Sequence, residues 1–390
     1  MRIAGTMGVL VSLAAWGCGA RTELGVLPPT VEDGGFDAGV DGGFDGGFDA
    51  GPIDAGCVDL RHERITTQVD VLFVIDDSGS MQEEQEALVA AFGDMAGALS
   101  SGDIDGDGTP EFASVADLHI GVVTTDMGMF AAGADGALLP RRCSPAGAWG
   151  NDGILRGGCG LSQPFVTYRE GQSVERFSRD FACLARVGTE GCGFEMPLEA
   201  ALKALTPTTS PIRFASDSLG HGDTDNRGFL RDESVLAIIV LTDEDDRSVG
   251  NTRFLEAVTD EERFTGTAWL HEVARYADGF AALREDPDRL VFAAIAGLPP
   301  DLAEGFDAET SLADPRMEVV FDPTDPVYIV PSCVAEGVGR ATPPRRLVEV
   351  AGAFGDRGQV HSICSDDYRA PLALIAERVG EAITRTWCAD

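Results

Sequence analysis

The run Val71-Leu72-Phe73-Val74-Ile75 breaks off into Asp76-Asp77-Ser78-Gly79-Ser80-Met81, which sets three oxygen-bearing side chains at alternate positions. Alternate side chains of an extended chain share a face, so Asp76, Ser78 and Ser80 converge on one spot just beyond a strand end. One carboxylate and two neutral hydroxyls make a hard, oxygen-only donor set suited to Mg²⁺, Mn²⁺ or Ca²⁺. No base stands beside either serine, so this is poor material for a nucleophile. The five histidines, at 62, 119, 221, 271 and 361, show no ligand-like spacing. His119 and His361 fall within strand patterns and read as structural, and His221 as loop. The chemistry to expect is cation binding, not catalysis.

Strand and helix patterns alternate along the rest of the chain, which predicts a doubly wound α/β fold with a mostly parallel central sheet flanked by helices. The expected strands are 68–76, 118–125, 235–242, 289–296 and 359–364. The expected helices are 82–99, 173–187, 196–205, 268–284 and an amphipathic 370–387. In open sheets of this kind ligands sit beyond the carboxyl ends of the strands, where the strand order reverses. Asp76 lies at such an end. Two long insertions, near 127–165 and 297–345, also follow strand carboxyl ends and would crown the same face, where loops on a rigid scaffold carry recognition.

The spacing Asp76-x-Ser78-x-Ser80 after a buried strand resembles the metal-ion-dependent adhesion site of von Willebrand factor type A domains. The likeness extends to residues 235–246, Val-Leu-Ala-Ile-Ile-Val-Leu-Thr-Asp-Glu-Asp-Asp, which look like that family's fourth strand. The resemblance implies that Asp243, at its end, is a further metal-site residue. It also implies a loop ligand, commonly Thr, before a helix. The matching stretch is Gly191-Cys192-Gly193-Phe194-Glu195-Met196-Pro197-Leu198-Glu199-Ala200, which puts Glu195 at that place, with Thr189 nearby as the substitute. The implied metal set is Asp76, Ser78, Ser80, Asp243 and Glu195 or Thr189. The implied ion is Mg²⁺, Mn²⁺ or Ca²⁺, its shell completed by a carboxylate from a protein partner. A third carboxylate such as Glu195 would weaken the pull on an anionic partner and favour Ca²⁺ over Mg²⁺. The simpler alternative is that Ser78 caps a helix and Asp76 ends a strand. Asp77, Glu244, Asp245 and Asp246 read as a solvated acidic rim, and Asp126 as a residue just outside the site.

A second candidate cation site is Asp103-Ile104-Asp105-Gly106-Asp107-Gly108-Thr109-Pro110-Glu111. Aspartates at alternate positions followed by glycine resemble an EF-hand-type calcium loop, with Asp103, Asp105, Asp107 and Glu111 as ligands for a structural Ca²⁺. Ser114 stands where such loops carry their bidentate glutamate, and Asp117 is the candidate substitute.

Net charge is −36, from 65 acidic against 29 basic residues. Such a surface repels phosphate backbones and anionic lipid, which argues against nucleic-acid binding and electrostatic membrane docking. Residues 1–18 carry Arg2 and an apolar stretch too short to span a bilayer, ending Ala14-Ala15-Trp16-Gly17-Cys18. That end resembles a bacterial lipoprotein cleavage box and implies lipidation of Cys18. Gly19, in place of Asp, leans toward the outer membrane, with the periplasm or cell surface as alternatives. Membrane contact is then through a lipid anchor alone. Residues 19–57 repeat Asp at 33, 37, 41, 45 and 49 among glycines, and read as a disordered spacer. The folded domain would occupy 58–390.

Nine cysteines less Cys18 leave eight, an even number that suggests a disulfide framework in an exported protein. Pairing sequence neighbours gives Cys143–Cys159, Cys183–Cys192 and Cys333–Cys364, with Cys57–Cys388 bridging the domain ends. No zinc-like Cys pair occurs. The leading expectation is a metal-dependent protein-binding or adhesion module of the cell envelope, not an enzyme. A metal-assisted hydrolase, or a structural surface protein locked by its metal, are the alternatives.

Overall fold

The first apolar run forms strand β1, Gln68–Ile75, in which every residue after Gln68 is buried. A strand covered on both faces needs no polar alternation, which is why its sequence reads as a continuous apolar run. In the computed structural model, which describes residues 67–128, 150–249, 266–335, 339–365 and 367–384, β1 is followed by α1 (Gln82–Ser101) and β2 (Asp117–Thr124). Next come β3 (Phe165–Arg169), α2 (Val174–Ala185), α3 (Pro197–Leu205) and β4 (Val235–Leu241). The chain continues with α4 (Ala274–Ala281), β5 (Leu290–Ala296) and two short helices, α5 (Pro300–Ala303) and α6 (Ala308–Ala313). Two small hairpins follow, β6 (Phe321–Asp322) with β7 (Asp325–Ile329) and β8 (Cys333–Ala335) with β9 (Gly339–Ala341). The last described elements are α7 (Arg345–Ala353), β10 (Gly358–Ser362) and α8 (Arg369–Thr384). All described residues belong to the unit Cys57–Asp390. The expected leader, the spacer and Cys18 lie outside them.

The central sheet has six strands in the order β10-β5-β4-β1-β2-β3, parallel except for the β2–β3 pair. Alternation along each strand sends side chains to two cores. Val69, Val71, Phe73 and Ile75 of β1 pack with Phe92 of α1, Phe181 of α2 and Ile375 of α8. Leu72 and Val74 pack on the other face with Leu202 of α3, Phe280 of α4 and Val348 of α7. On the first face the Phe92 and Phe181 rings stack at 3.8 Å between centroids. The sheet order reverses at β1, which pairs with β2 on one side and β4 on the other.

Three expectations need correction. The segment expected as one helix over 268–284 instead makes a 3-10 turn at Thr267–Trp269 and an α-helix over Ala274–Ala281. Between them, Leu270 and His271 are held against the loop after β4 by the Val249–Leu270 bridge and the His271 N–H on the Ser248 carbonyl (2.9 Å). The edge strand β3 was not expected; Phe165–Arg169 pairs antiparallel with β2 where the first insertion was to end. The disulfides differ too. Cys333–Cys364 forms as expected, but Cys159 bonds Cys183, replacing both Cys143–Cys159 and Cys183–Cys192. Arg156 explains this: its N–H donates to Val122 O (2.8 Å) and its guanidinium to the carbonyls of Val187 and Arg186. Residues leading to Cys159 are thereby laid against the end of α2, which carries Cys183. Cys192 is itself disulfide-bonded, and Cys57, Cys143 and Cys388 lie outside the described residues.

Candidate metal centre

Asp76 is the first residue beyond β1, and its N–H still donates to the Leu241 carbonyl of β4 (2.9 Å). Its fully buried carboxylate accepts from the Ser78 N–H (2.8 Å), Thr242 Oγ1 (2.6 Å) and Thr125 Oγ1 (3.5 Å). Thr242 and Thr125 follow β4 and β2, so three neighbouring strand ends orient one carboxylate. The Ser78 and Ser80 hydroxyls lie 3.4 Å apart. The N-cap of α1 is Met81, whose side chain makes no capping bond. Ser78 is therefore not the helix cap that the simpler reading required. Gln85 ties the turn down, donating to the carbonyls of Asp76 (3.0 Å) and Gly188 (2.9 Å).

Asp243 stands across from Asp76 at the end of β4. Its carbonyl accepts the Thr342 N–H (2.9 Å), its carboxylate lies against Ser80, and its Oδ1 is buried with no hydrogen-bond partner. Glu195 reaches the same place from the loop before α3. Its backbone is clamped there: its carbonyl accepts the Arg247 N–H (2.9 Å), and the next N–H, of Met196, donates to Thr125 O (3.0 Å). The Glu195 side chain is wholly buried, no N–H or hydroxyl of the described residues donates to either carboxylate oxygen, and its charged neighbours are Glu244, carboxyl against carboxyl, and Asp76. Thr189, the other candidate, is half-buried earlier in that loop.

Burial, followed by repulsion from neighbouring carboxylates, dominates the electrostatics. Burial pushes Asp76 up to about 6, with the Thr242 and Ser78 bonds pulling back. Burial and the charges of Asp76 and Glu244 push Asp243 up to about 8, and similar causes hold Glu195 well above the usual carboxylate range. An ionised buried carboxylate without a partner costs several kcal/mol, so these groups must be protonated or meet a positive charge. The donor set is all oxygen and offers no hydrogen-bond donors to the orphaned atoms beyond the serines. In donor chemistry, Asp76, Ser78, Ser80, Asp243 and Glu195 suit a hard divalent cation.

Two carboxylates at this end are more buried than the sequence suggests. Asp77, expected on a solvated rim, is 5% exposed; it takes a bond from Asn151 Nδ2 (3.3 Å) and is pushed up to about 7 by burial, then by Asp126 and Asp76. Asp126 thus flanks Asp77, its own Oδ1 accepting the Gly128 N–H (2.8 Å). Glu84 is 3% exposed and pushed up to about 7, mainly by burial. Asp246 also belongs inside. It accepts from the Leu198 N–H (3.0 Å), Ser248 Oγ (2.6 Å) and Arg346 Nε (3.1 Å), tying α3 and α7 to the loop that carries Asp243.

The second acidic loop opens at Gly102, whose left-handed conformation (φ +78°) ends α1. Asp103 accepts from the N–H groups of Gly106 (2.7 Å) and Gly108 (2.9 Å), Asp105 from Asp107 (3.0 Å), Asp107 from Thr109 (2.7 Å) and Glu111 from Ile104 (2.7 Å). One carboxylate oxygen from each of Asp103, Asp105, Asp107 and Glu111 lies within 4.8 Å of the others, a cluster that could hold a cation. Asp117 does not complete it; it opens β2 and pairs with Arg231 (2.9 Å). The described histidines are engaged elsewhere. His119 lies 2.9 Å from Phe229 O, His221 bonds Asp152 and Asp225, and burial pushes His361 down to about 4.

Among the described residues no helix is long and apolar enough to cross a membrane. No protein-family model and no curated protein matches the chain. Among solved structures it is similar to proximal thread matrix protein 1 from the mussel byssus, at 11% identity and a TM-score of 0.30, over 80% of this chain and 48% of that one. The chain thus spans about half the length of that protein. A likeness this slight bears on neither fold nor function.

Proposed function

We propose that the folded part is a von Willebrand factor type A-like domain that binds a protein partner through a divalent cation, in an exported and lipid-anchored envelope protein. One observation carries the reading: buried carboxylate oxygens of Glu195 and Asp243, without hydrogen-bond partners, lie around Asp76, Ser78 and Ser80. Support also comes from its place at the carboxyl ends of β1 and β4, where the sheet order reverses. Mg²⁺ or Mn²⁺ would be held by the serine hydroxyls and the three carboxylates, directly or through water, and Ca²⁺ would accommodate the extra carboxylate more readily. A bound cation supplies the positive charge that draws a partner's acidic side chain. The chain's own residues orient that cation: Thr242 and Thr125 fix Asp76, and the Thr342 N–H fixes the backbone at Asp243. The hairpins of the second insertion are positioned to contribute selectivity, since Thr342 joins β9 directly to Asp243. The two described disulfides accord with export to an oxidising compartment.

The test is capture of partners from envelope fractions with Mg²⁺, Mn²⁺ or Ca²⁺ and with chelator, using the wild-type chain and the double variant Asp76→Ala/Ser78→Ala. Cation-dependent capture that the double variant loses supports the reading. Capture that persists through both chelation and the substitutions removes it.

A further inference from the structure

At the end of the sheet opposite the candidate metal centre, a pocket of about 600 Å³ opens between the end of α3, the loop before β4 and the turn from α4 to β5. Small-molecule sites span about 300–1,000 Å³, so the space is ample for a ligand. Leu205, Pro207, Leu230 and Leu283 give it an apolar wall. Two arginines and five carboxylates complete the lining, and most of these charges are already engaged. Arg289 pairs with Glu233 (2.8 Å) and Asp286 (3.6 Å), and Asp223 accepts both the N–H and the hydroxyl of Thr208.

Arg284, Asp232 and Glu285 remain. Arg284 is only 8% exposed, and its guanidinium donates to the Leu283 carbonyl (3.0 Å) and to Ser234 Oγ (2.9 Å). A guanidinium carries five N–H donors. Three are therefore without a partner among the described residues, the buried Nε–H among them. Both partners are neutral. Asp70 connects to Arg284 through Ser234 and already accepts two bonds from Arg231. Burial pushes Arg284 down to about 10, which leaves it charged at neutral pH. Asp232 and Glu285 are exposed and make no hydrogen bond or ion pair with the described residues. The pocket thus combines a buried cation short of acceptors with two carboxylates short of donors. A bare anion would meet repulsion from Asp232 and Glu285, and a bare cation would leave the Arg284 donors unmet.

We propose that this pocket binds a zwitterion with an apolar side chain, an amino acid or short peptide with free ends. Its carboxylate meets Arg284, its ammonium meets Asp232 and Glu285, and its side chain lies against the leucines. The site is separate from the strand-end carboxylates and does not depend on a cation there.

Leucine and leucyl-leucine are the probes, titrated calorimetrically into the whole chain in chelator, so that no cation at the strand ends captures their carboxylates. N-acetyl-leucyl-leucine and leucyl-leucinamide each lack one charged end. The expected result is binding of the dipeptide, weakened about tenfold or more by either block, since each removes a charge-assisted bond. Leucine that binds as well as leucyl-leucine assigns the site to the free amino acid, and weaker leucine assigns it to the peptide. Asp232→Asn with Glu285→Gln should bring the free dipeptide level with its N-acetylated form, and Arg284→Gln should bring it level with the amide. Arg284 also holds Ser234, so the exposed acidic pair keeps the test independent of folding. No heat with any probe, equal affinity for free and blocked forms, or unchanged affinity in the acidic double variant overturns the site. Each result is read without metal and leaves the cation reading where it stood.

Discussion

Without the proposed cation this protein should lose stability as pH rises, and Asp243 contributes a large share of the effect. Its carboxyl is held up to about 8 in the folded chain against an ordinary 3.8, with burial the largest cause. A group whose folded pKa is raised contributes stability that is fully present below its unfolded pKa and is lost as pH rises through its folded pKa. For Asp243 that window runs from about 4 to 8. Within it the folded chain holds one proton that the unfolded chain releases, which is worth about 1.4 kcal/mol per pH unit. Between pH 6 and 8, with the folded group half-titrated at the upper end, the loss is roughly 2.3 kcal/mol, or about 5 °C in Tm for a domain of this size. A divalent cation takes the place of that proton, so its stabilising effect should grow with pH. Calorimetric melts in chelator and in millimolar Mg²⁺ or Ca²⁺ at pH 6 and 8 measure both trends. Asp243→Asn in chelator should flatten the pH dependence by about one proton and raise Tm at pH 8. Chelated wild-type protein that melts alike at both pH values, or a variant that keeps the full slope, refutes the reasoning.

Calcium should protect the loop after α1, and Asp103→Ala with Asp107→Ala should abolish terbium luminescence there while leaving the strand-end site unchanged. Reducing Cys333–Cys364, which closes a separation of 31 residues, should cost about 3–4 kcal/mol in chemical denaturation and loosen the β8–β9 hairpin. Phe92→Ala should cost about 3–5 kcal/mol, because its ring stacks on Phe181 in the core between α1 and α2. Arg346→Ala removes a buried ion pair to Asp246 and should weaken cation affinity measured by calorimetry, since that pair steadies the loop bearing Asp243.

Much of the scaffold is legible in the residues because burial on both faces writes itself as unbroken apolar runs, as in β1 and β4. The run 235–241 allows no other placement than the sheet centre. β3 was hidden because an edge strand carries half that signal, with Thr167 and Arg169 exposed between buried neighbours. The segment 268–284 has helical composition throughout, but Leu270 and His271 are drawn out of it by backbone bonds to Val249 and Ser248, which are distant contacts that local propensity cannot express. The pairing of Cys159 was missed for the same reason, since Arg156, not sequence distance, brings it to Cys183, whereas Cys333–Cys364 formed as its spacing suggested. At the candidate site, Asp76, Ser78 and Ser80 are readable from spacing alone. Glu84 and Asp77 were not, since acidic residues next to a helix start ordinarily face water, and only the tertiary packing buries them.

The measurement that tests the central claim most directly is anomalous diffraction from crystals of this protein grown with Mn²⁺. The account predicts an anomalous peak enclosed by Asp76, Ser78, Ser80, Glu195 and Asp243 at the carboxyl ends of β1 and β4. Peaks confined to the loop of Asp103 to Glu111, with the strand-end carboxylates protonated and facing one another, would contradict it.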